Sequence, residues 1–209
     1  IVFANGTVSR SKANKVVPAL EWKINRNYII KNDLIVLDLL ATNNWERPIY
    51  FAITVSNDNY LGLENYFELH GMAYRLVPIQ YESQWNEIGG INTDIMYEKL
   101  MHKFRWGNAN DPRVYLNEDN RRMLINYRSL FGRLAKELLA QGKQDSAIQV
   151  LDKCMEIMPQ EQVPYKYFIL SIAEGYFSAG QPDKALQILR NVINSSKENL
   201  DYYISIREK

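Results

Sequence analysis

The second half of the chain repeats one pattern of apolar and polar positions. Residues 131–159 and 169–197 align without gaps at a period of 38 residues, and apolar side chains recur in each copy at three- and four-residue steps, which is typical of amphipathic helices. Gly142 and Gly180 occupy equivalent positions, where glycine can end a helix in the left-handed conformation. An aspartate three residues later marks the start of another helix. Each copy therefore predicts a helix, a tight turn and a second helix.

Small residues at matching positions make this pattern resemble the tetratricopeptide repeat. Ala135 and Ala147, like their equivalents in the second copy, would let paired helices approach closely, and Pro159 stands at the position of the usual terminal proline. The period exceeds the ordinary one of about 34 residues, and we place the extra residues in the linker 160–164. The resemblance implies two stacked helix pairs, which are too few for a solenoid that stands alone.

The first half follows a different pattern, in which strand-like runs alternate with helix-like segments. Such alternation favours a parallel sheet with right-handed crossovers. The predicted elements, in order, are a strand within residues 22–30, a helix that Asn32 caps, a strand over residues 49–55 after Pro48, a helix over residues 60–70 ended by Gly71, an extended segment over residues 73–79 and a helix over residues 93–104.

These patterns together predict two domains. Residues 1–110 are expected to form an α/β domain with a basic N-terminal arm and a small, mostly parallel sheet with flanking helices. Residues 111–209 are expected to form an all-α, tetratricopeptide-like helical-repeat half. Its repeats are placed at about 124–159 and 164–197, and a capping helix is expected from Lys197 to the end of the chain.

Charge and hydropathy exclude several classes of protein. The net charge of +1, from 25 basic and 24 acidic residues, argues against a nucleic-acid partner, which requires many basic contacts to phosphates. The longest apolar run, residues 49–53, is far shorter than the about 20 residues of a membrane-spanning helix. The chain begins without an initiator methionine or a signal peptide, which predicts a piece of a longer protein. Six basic residues and one acidic residue among the first 31 form either a surface for anionic lipids or a solvated arm.

Sequence motifs for the common kinds of catalysis are absent. The chain lacks phosphate-binding glycine loops and nucleophile-elbow serine motifs. His70 and His102 stand 32 residues apart, outside any zinc-binding spacing. The single cysteine, Cys154, falls on an apolar helical face, where a core role is expected. We therefore predict no catalytic residue, no metal and no cofactor in this chain.

One candidate binding surface is the run Trp45-Glu46-Arg47, at the junction between a predicted helix and a predicted strand. An indole can stack on the apolar face of a sugar, and a carboxylate and a guanidinium can hydrogen-bond its hydroxyls. This combination could form a carbohydrate-binding surface, which is one of two interpretations. The alternative is that Trp45 covers the interface between helix and sheet, while Glu46 and Arg47 are solvated or pair with each other.

A second candidate cluster contains Glu64, Glu68, His70, Tyr74 and Arg75. Carboxylates beside a histidine could serve in acid–base chemistry. On the predicted helix, however, the two glutamates stand at i and i+4, which places them on one face. The alternative interpretation is therefore an ordinary solvated helix face.

The inner face of the repeat helices is the third candidate site, and a protein or peptide partner is its expected ligand. The repeat register assigns it Ser129, Gly132, Lys136 and Leu139 in the first copy, and Tyr167, Leu170, Glu174 and Phe177 in the second. Aromatic residues dominate the energetics of interfaces, so Tyr167 and Phe177 are the expected anchors for an extended or helical peptide. Alternatively, the C-terminal helix or the α/β half fills this groove.

Three segments carry a resemblance to a known group of proteins. These are KNDLIVLDLLATNNWERPIYFAITV (31–55), GLENYFELHGMAYRLVPI (62–79) and MYEKLMHKFRWG (96–107). They resemble the C-terminal soluble region of large multi-pass bacterial membrane proteins of uncharacterised function. The membrane portion of those proteins is similar to type C glycosyltransferases of the protein O-mannosyltransferase kind.

The resemblance implies that catalysis resides in a membrane domain outside this chain. The chain would then be a non-catalytic extramembrane module on the periplasmic side, with its own membrane domain as one partner and an acceptor or partner protein as another. A basic arm directly after a spanning helix would instead favour the cytoplasmic side. Three classes of function stay open: an interaction module, which the repeats favour, a carbohydrate-binding accessory domain, and an independent enzyme.

Overall fold

A computed structural model describes residues 1–82 and 87–207 of the chain. The chain forms two compact units, Ile1–Met96 and Tyr97–Lys209. The division falls earlier than the predicted boundary after residue 110, because Trp106 packs within the second unit, with its ring 5.5 Å from that of Phe131. None of the helices in the described ranges combines the length and the apolar character that crossing a bilayer requires.

The first unit is built around a small mixed sheet of four strands. The strands are β1 (Tyr50–Ala52), β2 (Phe67–Leu69), β3 (Ala73–Leu76) and β4 (Gly90–Ile91). Their order across the sheet is β1-β3-β2-β4. β3 pairs antiparallel with both β1 and β2, whereas β2 and β4 run parallel.

The prediction of a mostly parallel sheet is therefore wrong, and the cause lies in the connection between β2 and β3. Only His70, Gly71 and Met72 join these strands, which is far too short for a crossover between parallel strands. Gly71 has a φ of 84°, and the His70 N–H donates to the Ala73 carbonyl at 2.9 Å. This tight turn makes β2 and β3 an antiparallel hairpin.

The helix predicted over residues 60–70 does not form. The segment contains a 3₁₀ turn, Glu64–Tyr66, followed by β2. Leu61 and Gly62 both have positive φ, 59° and 85°, and this left-handed geometry interrupts a right-handed helix. Aromatic packing favours the strand: the ring of Phe67 lies 5.2 Å from Tyr60 and 5.5 Å from Tyr74, with which it is stacked.

Residues 22–30 form no strand, contrary to the prediction, and follow an irregular path. The Tyr66 hydroxyl anchors the chain just before this segment by bonding both the N–H and the carbonyl of Glu21. The next helix, α1 (Lys31–Asn43), is present as predicted. Asn32 does not cap it; instead the carboxylate of Asp33 accepts the N–H of Ile30 at 2.8 Å.

Helix α2 (Thr93–Glu98), extended by a π-helical turn over Lys99–Lys103, accounts for the helix predicted over residues 93–104. Beyond Lys103 the second unit is mostly helical, as predicted. Its helices are α3 (Glu118–Ala140), α4 (Gln144–Ile157), α5 (Leu170–Ser178) and α6 (Pro182–Arg207).

Two short turns join α3 to α4 and α5 to α6, each with a left-handed glycine at the predicted position: Gly142 at φ 72° and Gly180 at φ 70°. The capping helix predicted from Lys197 is not separate, because α6 continues without a break to Arg207. Residues 208–209 of that prediction lie outside the described residues. The four alanines expected at close helix contacts, Ala135, Ala147, Ala173 and Ala185, are all buried.

A buried arginine organises the linker between α4 and α5. Arg128 on α3 is fully buried, and its guanidinium donates to the carbonyls of Met158, Val163 and Pro164. The ring of Tyr165 lies 5.0 Å from the same guanidinium. The extra residues of the 38-residue period are therefore an ordered loop held by one side chain.

Cys154 lies in the core of the second unit, as predicted, and is fully buried on α4. Burial raises the pKa of its thiol to about 12, and only the thiolate reacts readily. We expect no labelling of the folded chain by a thiol reagent in mildly alkaline buffer, and rapid labelling in denaturant. Mass spectrometry measures the extent of labelling over time. Fast labelling without denaturant would contradict the burial of Cys154.

Candidate functional site

The predicted site residues occupy three separate places. Trp45, Glu46 and Arg47 follow α1, and the cluster around Glu68 lies on the sheet; both places are in the first unit. The predicted groove residues lie on α3 and in the segment that leads into and through α5, in the second unit.

The turn that carries Trp45 has an unusual backbone. Asn44 and Trp45 both have positive φ, 44° and 61°, a conformation that costs non-glycine residues of the order of 1–3 kcal/mol each. The turn is held from two sides. The Asn43 amide bonds the backbone N–H and carbonyl of Arg47, and the Asn5 amide donates to the carbonyl of Trp45.

Beside this turn lies a cavity of roughly 350 Å³ that Trp45 lines together with Trp22. Its other lining residues are Leu20, Leu37, Leu40, Ala41, Asn43, Asn44, Ile49 and Leu76. The two indoles come from segments far apart in sequence and lie on one cavity. Glu46 and Arg47 are exposed and do not line it, so the structure does not bring the three predicted residues around one ligand.

The second cluster is a buried polar network centred on Glu68, which lies on β2 and not on the predicted helix. Its carboxylate bonds His70 Nε2 at 2.8 Å and accepts the Asn92 amide at 3.0 Å, and it also accepts Lys12 Nζ and the Tyr81 hydroxyl. Burial alone would raise the pKa of Glu68, but the hydrogen bonds from His70, Lys12 and Tyr81 hold it well below its ordinary value of 4.5. The carboxylate is therefore ionised and saturated with hydrogen-bond partners.

Arg75 lies opposite Glu68 in the pairing of β2 with β3, and it binds the N-terminal segment. Its guanidinium donates to the Gly6 carbonyl and to Thr7 Oγ1, both at 3.1 Å, and lies 5.8 Å from the ring of Tyr50. Together with the ion pair between Lys12 and Glu68, these bonds fix the start of the chain to the sheet. The basic N-terminal arm is therefore bound, at these points, to the first unit itself.

The sequence pointed to Glu68, His70 and Arg75 but missed Lys12, Tyr81 and Asn92, whose partners are distant along the chain and leave no local signal. Glu64 is half-buried in the preceding 3₁₀ turn, apart from the Glu68 network. Among residues 1–82 and 87–207, no three histidine, cysteine, aspartate or glutamate side chains are grouped closely enough to hold a metal ion. The network is suited to fastening the fold, because a saturated carboxylate has no free lone pair to accept a proton.

On α5 and the turn before it, the predicted groove residues lie on the exposed face, and the opposite face is buried. Tyr167, Leu170 and Phe177 are 78%, 38% and 45% exposed, whereas Ile172 and Tyr176 are buried. Glu174, between the exposed apolar residues, and Lys136 on α3 are also exposed, and Leu139 is half-buried. We call Tyr167, Leu170 and Phe177 the α5 apolar row.

Helices α3 and α5 approach closely where Gly132 faces Ser171. A Cβ atom at Gly132 would lie 2.5 Å from Ser171 Oγ, so glycine permits this contact. Ser129 is exposed on α3, one turn before Gly132. The structure therefore brings the two helices that carry the predicted groove residues side by side.

Residues 1–95 match the family model described as TMEM260-associated domain 2. The match ends within one residue of the end of the first unit, Met96. No curated protein and no solved structure matches the chain. The match suggests that the first unit is a TMEM260-related domain, which agrees with the predicted association with a membrane protein.

Proposed function

We propose that this chain is a non-catalytic extramembrane module that binds a protein or peptide partner through its helical half. The observation that carries the proposal is the α5 apolar row: two aromatic side chains and one leucine are exposed on the same helical segment. Large apolar residues that line one side of a surface helix mark an interaction site when they group together.

The surroundings of the row fit a peptide-binding groove. The residues at its two ends, Tyr167 and Phe177, are aromatic, and aromatic side chains often anchor interfaces. Glu174 on α5 and Lys136 on the adjacent helix α3 are exposed. They would supply a polar rim with one negative and one positive charge. In a tetratricopeptide-like arrangement, which the two helix pairs resemble, the inner helices α3 and α5 present this face together.

The wider assignment rests on the resemblance described from the sequence and on the family match of residues 1–95. We propose that the parent protein is a membrane glycosyltransferase of bacterial type, and that this module holds an acceptor or partner protein beside its membrane domain. We place the module on the periplasmic side. Lys12 and Arg26, two of the basic residues that would favour the cytoplasm, are engaged internally by Glu68 and Asp33.

A peptide library displayed on phage tests the binding function. We expect the intact chain to enrich peptides with apolar anchors, and the double variant Tyr167→Ala/Phe177→Ala to lose the enrichment at least tenfold. Tyr167 is 78% exposed, so its replacement should change the free energy of unfolding by no more than about 0.5 kcal/mol, whereas Phe177, which is 45% exposed, should cost about 1 kcal/mol.

The matched control is Tyr115→Ala, since Tyr115 is 85% exposed in the same unit and lies outside the row. It should enrich the same peptides as the unmodified chain. Equal enrichment by the double variant would contradict the proposal. A loss of about 3–5 kcal/mol in stability would show instead that the row is packed in a filled groove.

A further inference from the structure

The side chains that line the cavity beside Trp45 are mostly apolar. Eight of its ten lining residues are aliphatic or indole side chains, and none is ionisable. The two remaining residues are asparagines, and the amide of Asn43 is occupied by the backbone of Arg47. Among the lining side chains, the Asn44 amide and the indole N–H groups of Trp22 and Trp45 are the groups left to bond a ligand. A soluble sugar, whose hydroxyls each need a hydrogen-bond partner, would find few side-chain partners here.

The helix that forms one wall of the cavity is apolar on both faces. Leu37 and Leu40 line the cavity, whereas Leu34, Ile35 and Leu39 are each more than half exposed on the outer side. A surface helix normally presents polar residues to water. The outer face of α1 therefore indicates contact with an apolar phase.

The cavity opens onto this helix. Ala41 lines the cavity and is also exposed at the surface, so the apolar lining reaches the outside of α1 at its C-terminal end. The adjoining wall is the Asn44-Trp45 turn, whose left-handed backbone is fixed by Asn5 and Arg47. A site with fixed walls needs little reorganisation when a ligand enters.

We infer that this cavity binds one aliphatic chain of the fatty-acyl kind. Its volume, roughly 350 Å³, lies near the lower end of the range of about 300–1,000 Å³ for ligand sites, which suits a single chain and not a complete two-chain lipid. The Trp22 and Trp45 indoles supply wide apolar walls for the chain, and the head group would stay in water beside Asn44. This binding is independent of the α5 apolar row, which lies in the other unit.

The fluorescent fatty acid cis-parinaric acid tests the inference on the intact chain. Below its micelle concentration we expect saturable binding, seen as energy transfer from the indoles, and displacement by dodecanoate. Ala41→Trp should weaken the affinity at least tenfold, because it fills the mouth of the cavity. Leu39→Trp introduces the same indole on the outer face of α1, outside the cavity lining, and should bind as the unmodified chain does.

A second measurement does not depend on fluorescence. Dodecanoate should raise the melting temperature of the unmodified chain and of Leu39→Trp, since a ligand that binds only the folded state stabilises it. It should not raise that of Ala41→Trp. If Ala41→Trp fails to fold, Leu20→Trp adds an indole at another lining residue and should show the same loss.

Three results would overturn the inference. The first is the absence of saturable fatty-acid binding. The second is equal binding by the Ala41→Trp and Leu39→Trp variants, which would place the fatty acid on the outer surface. The third is saturable binding of a soluble oligosaccharide that competes with cis-parinaric acid, which would assign the cavity to a glycan. None of these results bears on peptide binding by α5.

Discussion

Replacing Arg128 with methionine is expected to lower the free energy of unfolding by about 3–5 kcal/mol, because it leaves backbone carbonyls without a donor. The substitution removes the donors to the buried carbonyls of Met158 and Val163 and to the carbonyl of Pro164, an exposed residue. Each buried acceptor left without a partner costs about 1–3 kcal/mol. Relief from desolvation offsets part of this loss, because burial lowers the pKa of the Arg128 guanidinium and so opposes its charge.

Arg122→Met is the matched control, since it makes the same substitution on the same helix at a position that is about three-quarters exposed. An exposed i,i+3 ion pair contributes about 0.2–0.5 kcal/mol, so its effect should be small. Urea unfolding monitored by circular dichroism measures both variants. Equal midpoints for Arg128→Met and Arg122→Met would show that Arg128 does not hold the linker between α4 and α5.

The second large effect is expected at Glu68. Glu68→Gln should destabilise the first unit by about 2–4 kcal/mol, because hydrogen bonds to a charged group contribute about 1.5–3 kcal/mol each and the amide would direct its NH₂ group at existing donors. Glu64→Gln is the matched control, since Glu64 is half-buried nearby and outside the network. We expect it to change stability by less than about 0.5 kcal/mol.

The same carboxylate predicts a dependence on pH. The folded pKa of Glu68 lies below its ordinary value of 4.5, because the hydrogen bonds outweigh the effect of burial. Its contribution to stability is therefore complete above about pH 4.5 and is lost as the pH falls toward the folded pKa. Denaturant titrations across this acid range should show a steeper loss in the unmodified chain than in Glu68→Gln. If the two proteins lose stability equally as the pH falls, the hydrogen-bond network around Glu68 does not stabilise the first unit.

The helical half could be predicted from the sequence because its determinants are local. Gly142 and Gly180, with buried alanines at fixed distances from them, define helix pairs through short-range spacing alone. Arg128 could also have been recognised: it lies four residues after Leu124 and three before Phe131, on the apolar face of α3. A charged residue at such a position has to find buried acceptors.

The sheet could not be predicted in the same way, because contacts between distant residues decide it. The apolar spacing of residues 60–70 fits a helix, but left-handed Leu61 and Gly62 and the packing of Phe67 on Tyr74 select a turn and a strand. The partners of Glu68 include Lys12, 56 residues away. No local pattern records such a pair. For the same reason the sequence pointed to Trp45 but not to the cavity it shares with Trp22.

The central claim is that the α5 apolar row is an open binding surface. Amide chemical shifts of the isotope-labelled intact chain, recorded while a peptide selected from the displayed library is added, test it most directly. We predict that the shifts move for residues 167–177 and around Lys136 on α3, and that Tyr115 and the first unit stay unchanged. Shifts confined to α1 or to the sheet, with none on α5, would contradict the account.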